Sequence, residues 1–346
     1  MVEVRRIERK FGMRIAVLGA GGWGTALAVL WHRHGRDVLL WTPFEQERRA
    51  IREAGEHSRV LPGIRVPETL PITTDIEEAV GGAQVVLLVT PSQFIEETAC
   101  KAAPFLAEGT PVISAAKGLE RTENPVPRTL TALIEEALRT HGVLCPVLAL
   151  SGPSHAEEVG RGLPTTIVLA GENPEPLQKV FSTPTFRVYR STDRLGVELG
   201  GALKNPIAIA AGIGAGLGGG DNALGALVTR GMVEIARLGT RAGARPETFW
   251  GLSGIGDLVT TCASPHSRNR RVGMELAKGR ALDDILRELG MVAEGVQTAQ
   301  TVDCWARHLG IETPITSAVA RVLFQGSSPM EELQNLMTRD LKEEHF

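Results

Sequence analysis

The sequence predicts an α/β chain in which a doubly wound, mainly parallel sheet is followed by an all-helical (all-α) C-terminal domain. Three observations carry this. From Met13 the chain alternates a short apolar run, a glycine-bearing turn and an amphipathic stretch, the pattern of strands joined by crossover helices. The apolar runs lack polar alternation, as strands covered on both faces do. After about Asp193 such runs stop and only helical periodicity remains. A chain of 346 residues is long enough for two cores. The expected domains are 13–192 and 193–340, preceded by a highly charged extension, residues 1–12, that has no useful period.

Taken in order, the strands are read at Arg14–Leu18, Asp37–Trp41, Gln84–Val89, Pro111–Ala115, Pro146–Leu150 and Thr165–Leu169. The stretch Ala54–Ile72, with Pro62, Gly63, Pro67 and Pro71, reads as a long irregular loop inside the first domain. The first strand runs into Gly19-Ala20-Gly21-Gly22-Trp23-Gly24, a G-x-G-x-x-G that opens a helix. Gly19 permits the tight turn, Gly21 lets a diphosphate approach the backbone, and Gly24 lets helix and strand pack closely, with the helix N-terminus facing the anion. Set between two strands, this turn identifies a Rossmann-type dinucleotide domain. The second strand ends Trp41-Thr42-Pro43-Phe44 with no acid for a ribose 2′-hydroxyl. A 2′-phosphate is therefore tolerable, and Arg33, His34, Arg48 and Arg49 are candidates to meet it; NADP(H) is favoured, with NAD(H) also usable. Lys117 follows a strand at the edge where open α/β sheets bind ligands.

The helices of the second domain are expected at Asp193–Leu217, Ala223–Ala242, Arg268–Lys278, Leu282–Glu288, Val296–His308 and Ile315–Phe324. In the first of them Gly200 and Gly201 precede Lys204 by four and three residues, which puts the lysine beside a bare patch that a substrate or a nicotinamide ring could approach. Pro206 removes a helical donor just beyond. Asp257 and Thr261, four apart, share a face if their segment is helical. Ser267 is a good N-cap for the run Arg268-Asn269-Arg270-Arg271, and arginines at a helix start are unfavourable unless an anion is near, which marks Arg268 as a phosphate ligand.

Thirty-seven basic residues against 40 acidic leave a net charge of −3, which gives no general affinity for nucleic acid or an anionic membrane. No apolar run is long enough to span a bilayer and the charged start is unlike a signal peptide, so a cytoplasmic protein is expected. Cys100, Cys145, Cys262 and Cys304 form no C-x-x-C pair and read as buried free thiols. No metal site is read.

These blocks together resemble NAD(P)-dependent glycerol-3-phosphate dehydrogenase of the bacterial biosynthetic type. The resemblance runs from Met13 to about Leu336 and rests on Gly19–Leu27, Ala116–Glu120, Ser151–Ser154, Phe186–Tyr189, Gly200–Asn205, Gly256–Leu258, Ser267–Arg271, Val292–Gly295 and Thr313–Ile315. It implies reversible reduction of dihydroxyacetone phosphate to sn-glycerol 3-phosphate with NADP(H) or NAD(H), in a homodimer that supplies phospholipid synthesis. It implies that Lys204 is the proton donor and acceptor, with Lys117 and Asp257 beside it. Gly152, Ser154, Ser267, Arg268 and Asn269 match substrate contacts, which Thr261 joins by its place next to Asp257. Gly22, Trp23, Lys117, Ala156, Arg268, Val292 and Glu294 match cofactor contacts. The chain departs from the family at Thr42-Pro43-Phe44, where a basic or polar residue often follows the tryptophan. Two other readings stand beside this one: a 3-hydroxyacid or 6-phosphogluconate dehydrogenase with a catalytic lysine, and a non-catalytic dinucleotide sensor, which would need none of Lys117, Lys204 and Asp257.

Overall fold

The alternation that starts at Met13 resolves into strands and helices in the computed structural model, which describes residues 13–289, 293–341 and 343–344. The extension 1–12 and Val292 lie outside the described residues. The chain forms two units, one of residues up to Ala116 together with Leu130–Arg194, the other of Lys117–Thr129 together with Leu195 onward.

The first unit runs β1 (Arg14–Leu18), α1 (Gly22–Arg33), β2 (Asp37–Trp41), α2 (Glu45–Ala54), β3 (Glu56–His57), β4 (Leu61–Arg65), β5 (Ile72–Thr73) and α3 (Ile76–Val80). It continues with β6 (Val85–Leu88), α4 (Ile95–Ala102), β7 (Val112–Ser114), α5 (Leu130–Thr140), β8 (Val147–Ser151), α6 (Ala156–Gly160), β9 (Thr165–Ala170), α7 (Glu175–Phe181) and β10 (Phe186–Ser191). Eight strands form one sheet in the order β10-β9-β8-β7-β6-β1-β2-β5. Successive residues of β1 face opposite sides: Ile15 and Val17 join one apolar cluster with Trp31 of α1, and Ala16 and Leu18 join another with Ile95 of α4 and Ile134 of α5. Both faces are thus covered by helices, which is why these strands read as unbroken apolar runs. The chain order reverses between β1 and β6, and the glycine turn sits at that switch.

Three features of the strands differ from the sequence reading. β9 pairs antiparallel with β8, and β10 follows β9 in parallel, so the last two strands run against the rest. The connecting helix α6 has only five residues, about 7.5 Å of rise, too short to carry the chain back along a strand of some 17 Å. The expected irregular loop instead contains the antiparallel pair β3–β4, with a register shift at Glu56/His57. Its pattern of Pro62 and Gly63 hid the strand, since both residues are poor strand formers. β10 escaped for another reason: it lies at the sheet edge, where Arg187 and Tyr189 alternate outward.

The second unit is helical: α8 (Arg194–Gly216), α9 (Asp221–Arg241), α10 (Pro246–Phe249), α11 (Asp257–Ala263), α12 (Arg268–Ala277), α13 (Leu282–Leu289), α14 (Glu294–His308), α15 (Pro314–Phe324) and α16 (Pro329–Met337). α8 is buried on nearly every side from Val197 to Ile213, which identifies it as the central helix, and it runs unbroken through Pro206. Close crossings fix its neighbours. A Cβ on Gly212 would lie 1.9 Å from the carbonyl oxygen of Arg270, and one on Gly273 would lie 2.0 Å from that of Ile209. Glycine at both contacts presses α12 directly onto α8. The four cysteines are free, but only Cys262 is fully buried; Cys304 lies exposed on the outer face of α14, contrary to expectation.

Candidate functional site

In the first unit the three glycines of the turn have different surroundings. Gly19 has φ of +123°, and a Cβ there would sit 2.9 Å from the Thr90 nitrogen, so the turn packs against the chain leaving β6. A Cβ on Gly24 would lie 1.9 Å from the Gly19 carbonyl oxygen, which fixes how closely α1 starts against the turn. Gly21 has no protein atom within 4 Å of such a position: the space beside it is open. The first bond of the α1 ladder is Thr25 N–H to Gly21 O at 2.9 Å, which leaves the amides of Gly22, Trp23 and Gly24 without an intrahelical acceptor. No acid lies in the first turn of α1. Open space, helix-end amides and no competing carboxylate fit a diphosphate. The Trp23 side chain turns inward to pack near Phe186, ring centroids 6.4 Å apart, so it is the backbone of Trp23 that belongs to this anion site. Gly22 is restricted as well, because the Val60 carbonyl of the β3–β4 hairpin would stand 2.8 Å from a Cβ there.

The candidates for a 2′-phosphate divide. Arg33 and His34 close the far end of α1, where Arg33 donates to the carbonyls of Gly160 at 3.0 Å and Arg65 at 2.7 Å and His34 bonds its own helix at Leu30. That end is some 16 Å along the helix from the glycine turn and precedes β2, so neither residue serves the carboxyl end of β2. Arg48 and Arg49 do follow that strand. Both pair with Glu45, each at 2.7 Å, and hold its carboxyl down at about 2. Thr42 hydrogen-bonds Glu47, which in turn bonds His57 at 3.1 Å, tying the strand end to the hairpin. Gly152, after β8, needs glycine: φ is +139° and a Cβ would lie 3.2 Å from Ile167 Cα. Ser154 donates to the Gly152 carbonyl at 3.0 Å, and Ala156 opens α6.

The second unit carries the ionic chemistry. Lys204 on α8 is 5% exposed and Asp257 on α11 1%. The Lys204 ammonium donates to Asp257 Oδ1 and to Thr261 Oγ1, each at 2.5 Å, while Lys117 Nζ stands 2.8 Å from Asp257 Oδ2. Asp257 and Thr261 share a helix face, as their spacing requires, and the Thr261 hydroxyl donates to the Asp257 carbonyl at 2.6 Å. A π-helical turn, Leu252–Gly256, leads into Asp257. Two ammonium groups thus share one carboxylate, and the cluster holds a net positive charge in a buried setting. Burial pulls the Lys204 ammonium down to about 8 against the pull of Asp257, and Lys117 adds to the lowering. Burial pushes the Asp257 carboxyl up, but the two lysines outweigh it and hold it below its ordinary value. Cys262, next on α11, is pushed up to about 12 by burial and is inert as a nucleophile.

The patch beside Lys204 is not bare. A Cβ on Gly200 would lie 2.5 Å from the Ser253 carbonyl oxygen, so glycine there admits the turn before α11 rather than a ligand. That close approach is what brings Asp257 to the lysine. Ser267 caps α12 by accepting from Arg270 N–H at 3.2 Å, and Arg268, the first helical residue, is exposed. Asn269 is buried and points inward: it accepts from Gly295 N–H at 3.0 Å and donates to Asn205 Oδ1 at 3.0 Å. Asn205 in turn donates to the Lys117 carbonyl at 3.4 Å. Asn205 escaped the sequence reading, although its place directly after Lys204 was a signal. Glu294 opens α14, beside Gly295.

Known proteins resemble this chain along nearly its whole length. A family model for the N-terminus of NAD-dependent glycerol-3-phosphate dehydrogenase matches residues 14–176, and one for its C-terminus matches residues 193–334. A glycerol-3-phosphate dehydrogenase (NAD(P)+) from Moorella thermoacetica is 50% identical over 328 residues, 94% of this chain and 96% of that one. Its counterpart from Chlorobium phaeobacteroides is 45% identical over 337 residues, 96% of this chain and all (100%) of that one. The solved glycerol-3-phosphate dehydrogenase from Coxiella burnetii is similar with a TM-score of 0.88 and 37% identity, covering 94% of this chain and 99% of that one.

Proposed function

The chain belongs to the NAD-dependent glycerol-3-phosphate dehydrogenase family, and we infer from this membership and from its buried Lys204–Asp257 pair that it works as follows. It is an oxidoreductase that interconverts dihydroxyacetone phosphate and sn-glycerol 3-phosphate with NAD(P)(H). The observation that carries the chemistry is the Lys204 ammonium, buried and held 2.5 Å from Asp257. Bound reduced cofactor supplies the hydride that a ketone reduction needs. The chain must supply a proton for the developing alkoxide and positive charge to stabilise it. A lysine at about 8 is mostly protonated at neutral pH and can still release its proton, so Lys204 acts as acid in reduction and, once neutral, as base in oxidation. Asp257 and Thr261 orient the ammonium, and Lys117 adds the second positive charge.

Gly19, Gly21 and the first-turn amides of α1 hold the diphosphate in this reading. Arg268, at the start of α12, meets the substrate phosphate together with the first-turn amides that Ser267 leaves unused, and Gly152 and Ser154 belong to the same substrate set. The end of β2 carries no acid aimed at a 2′-hydroxyl, which supports NADPH as the modestly preferred cofactor, with NADH also accepted. The dinucleotide turn belongs to the sheet unit, and Lys117, Lys204, Asp257 and Arg268 belong to the helical unit, which takes in Lys117–Thr129 as well as the expected 193–340. The family resemblance further supports a cytoplasmic homodimer that feeds phospholipid synthesis.

The test is NADPH oxidation followed by absorbance, with dihydroxyacetone phosphate as sole substrate and NADH run alongside. Turnover with this ketone, and none of NADP+ with 3-hydroxyacids or 6-phosphogluconate, is the expected result. Cofactor binding without turnover would favour the sensor, and a preference for NADH above about tenfold would show that a 2′-phosphate is rejected.

A further inference from the structure

Three helices of the second unit meet at an unbroken line of side-chain amides. α14 begins with Ala293 as its N-cap, a residue with no side chain able to cap, so the N–H of Gly295 in the first turn has no partner from its own helix end. Asn269, from α12, supplies the acceptor at 3.0 Å. That bond sets the polarity of everything after it. A backbone N–H can only donate, so the atom of Asn269 facing Gly295 is the oxygen, and its amide nitrogen must face Asn205. Asn205 then presents its own oxygen to Asn269 at 3.0 Å and its nitrogen to the Lys117 carbonyl at 3.4 Å. Each amide orientation is dictated by the one before.

The line is also held from outside. The α8–α12 crossing through Gly212 and Gly273 leaves no freedom in the distance between the helices that carry Asn205 and Asn269. A Cβ on Gly295 would lie 2.7 Å from Asn269 Oδ1 and 3.1 Å from the Asn205 carbonyl, so glycine is required where α14 comes up to the amides. At the far end Lys117 is the residue whose ammonium shares Asp257 with Lys204.

We propose that Asn269 and Asn205 form a polarised amide relay whose task is to position Lys117 against Asp257, with Asn269 a positioning residue that acts through Asn205. This rests on the glycerol phosphate reading of the site. It separates two neighbours on one helix: Arg268 faces outward to a phosphate, and Asn269 faces inward to the relay.

Two variants test it. Gly295→Ala keeps every polar atom of the relay and displaces the Asn269 amide by sterics alone. Asn269→Asp keeps the acceptor for Gly295 but has no N–H to give Asn205. In reduction of dihydroxyacetone phosphate with NADPH, both should lower kcat about tenfold, with KM for the ketone within about twofold of wild type, because the loss is one of alignment and not of binding. Both should also move the alkaline limb of the kcat profile up by about half a pH unit, since a displaced Lys117 no longer depresses its neighbour Lys204. Arg268→Ala is the contrast, raising KM instead. A tenfold KM increase with kcat preserved in Asn269→Asp would make Asn269 a phosphate ligand and overturn the relay. So would wild-type kcat and an unmoved limb in Gly295→Ala. Wild-type turnover of the ketone is the control: without it the reading of the reaction fails, and with it these outcomes bear on the relay alone.

Discussion

Asp257 and Glu234 are both carboxylates on helices of the same unit, 1% and 4% exposed, and although burial pushes both up, they end shifted in opposite directions. Asp257 has two ammonium neighbours and stays below its ordinary value. Glu234, on α9, is met chiefly by dipoles, the charge of Arg339 being a smaller influence: it accepts from Ile315 N–H at 2.5 Å, from Thr316 N–H at 3.1 Å and from the Thr316 hydroxyl at 3.0 Å, and so caps α15 from another helix. Burial pushes it up to about 7 in spite of those three donors. Full hydrogen bonding therefore does not keep a buried acid charged here, whereas opposite charge does. On the proposed reading the first acid serves the proton step, and the second caps a helix.

The same chemical change at the two acids should have opposite signs. Asp257→Asn leaves two ammonium groups around a neutral amide and should cost about 3–5 kcal/mol of stability in chemical denaturation. It should also abolish measurable reduction, since Lys204 would then be driven neutral. Lys204→Ala comes next: kcat should fall by roughly 10²- to 10⁴-fold with cofactor affinity, measured by fluorescence titration, nearly unchanged. Arginine at this position should not rescue it, because a guanidinium does not give up its proton. In the wild type, the kcat of reduction should fall as pH rises through about 8 and that of oxidation should rise through the same point. A profile flat across that range would remove Lys204 from the proton step.

Glu234→Gln should do the reverse of Asp257→Asn. A folded-state value of about 7 against an ordinary 4.5 means that the folded protein binds the extra proton between those limits, so the contribution of Glu234 to stability is greatest below the lower limit and is lost as pH rises to the upper. Gln, neutral throughout, should be more stable than wild type by about 1–2 kcal/mol in melts near pH 8 and about equal near pH 5. Loss of stability at both pH values would mean that the helix cap needs the charge. The smallest effect concerns a partly exposed acid: Glu45→Gln releases Arg48 and Arg49, and should raise kcat/KM for NADPH over NADH by about two- to fivefold. A shift toward NADH would place those arginines away from the 2′-phosphate.

Much of this was legible in the sequence because it depends on neighbours along the chain. The glycine turn, the helix that brings Thr261 round to Asp257 and the Ser267 cap all follow from spacing of four residues or fewer. Contacts between distant segments were not legible. Gly200 read as a gap for a ligand because nothing in the sequence says that Ser253, 53 positions later, fills it. Asn269 read as a substrate contact next to Arg268, yet its direction is decided by Gly295 and Asn205 on other helices. β3–β4 was hidden by turn residues inside a strand; β9 was read as a strand, but its direction is set by the length, not the composition, of the connection before it. At Lys204 burial opposes Asp257 and prevails, a balance that three-dimensional surroundings alone decide.

The stretch Lys117–Thr129 leaves the strand series and groups with the helices before the chain returns to α5. Leu119 lies in the apolar cluster with Leu199 and Phe249, and the excursion is pinched shut where Glu120 meets Arg128 at 2.5 Å and Leu119 bridges Thr129. Lys117, the second cation on Asp257, is therefore encoded among the strands, far from the gene segment for Asp257 and Lys204. Recombination that swapped the helical half between relatives at a single crossover near residue 195 would mismatch Lys117's loop with its host helices, and a clean exchange needs three breakpoints, near residues 116, 129 and 194. Such an interleaved gene resists modular shuffling, so the two halves of this enzyme are expected to share one phylogeny.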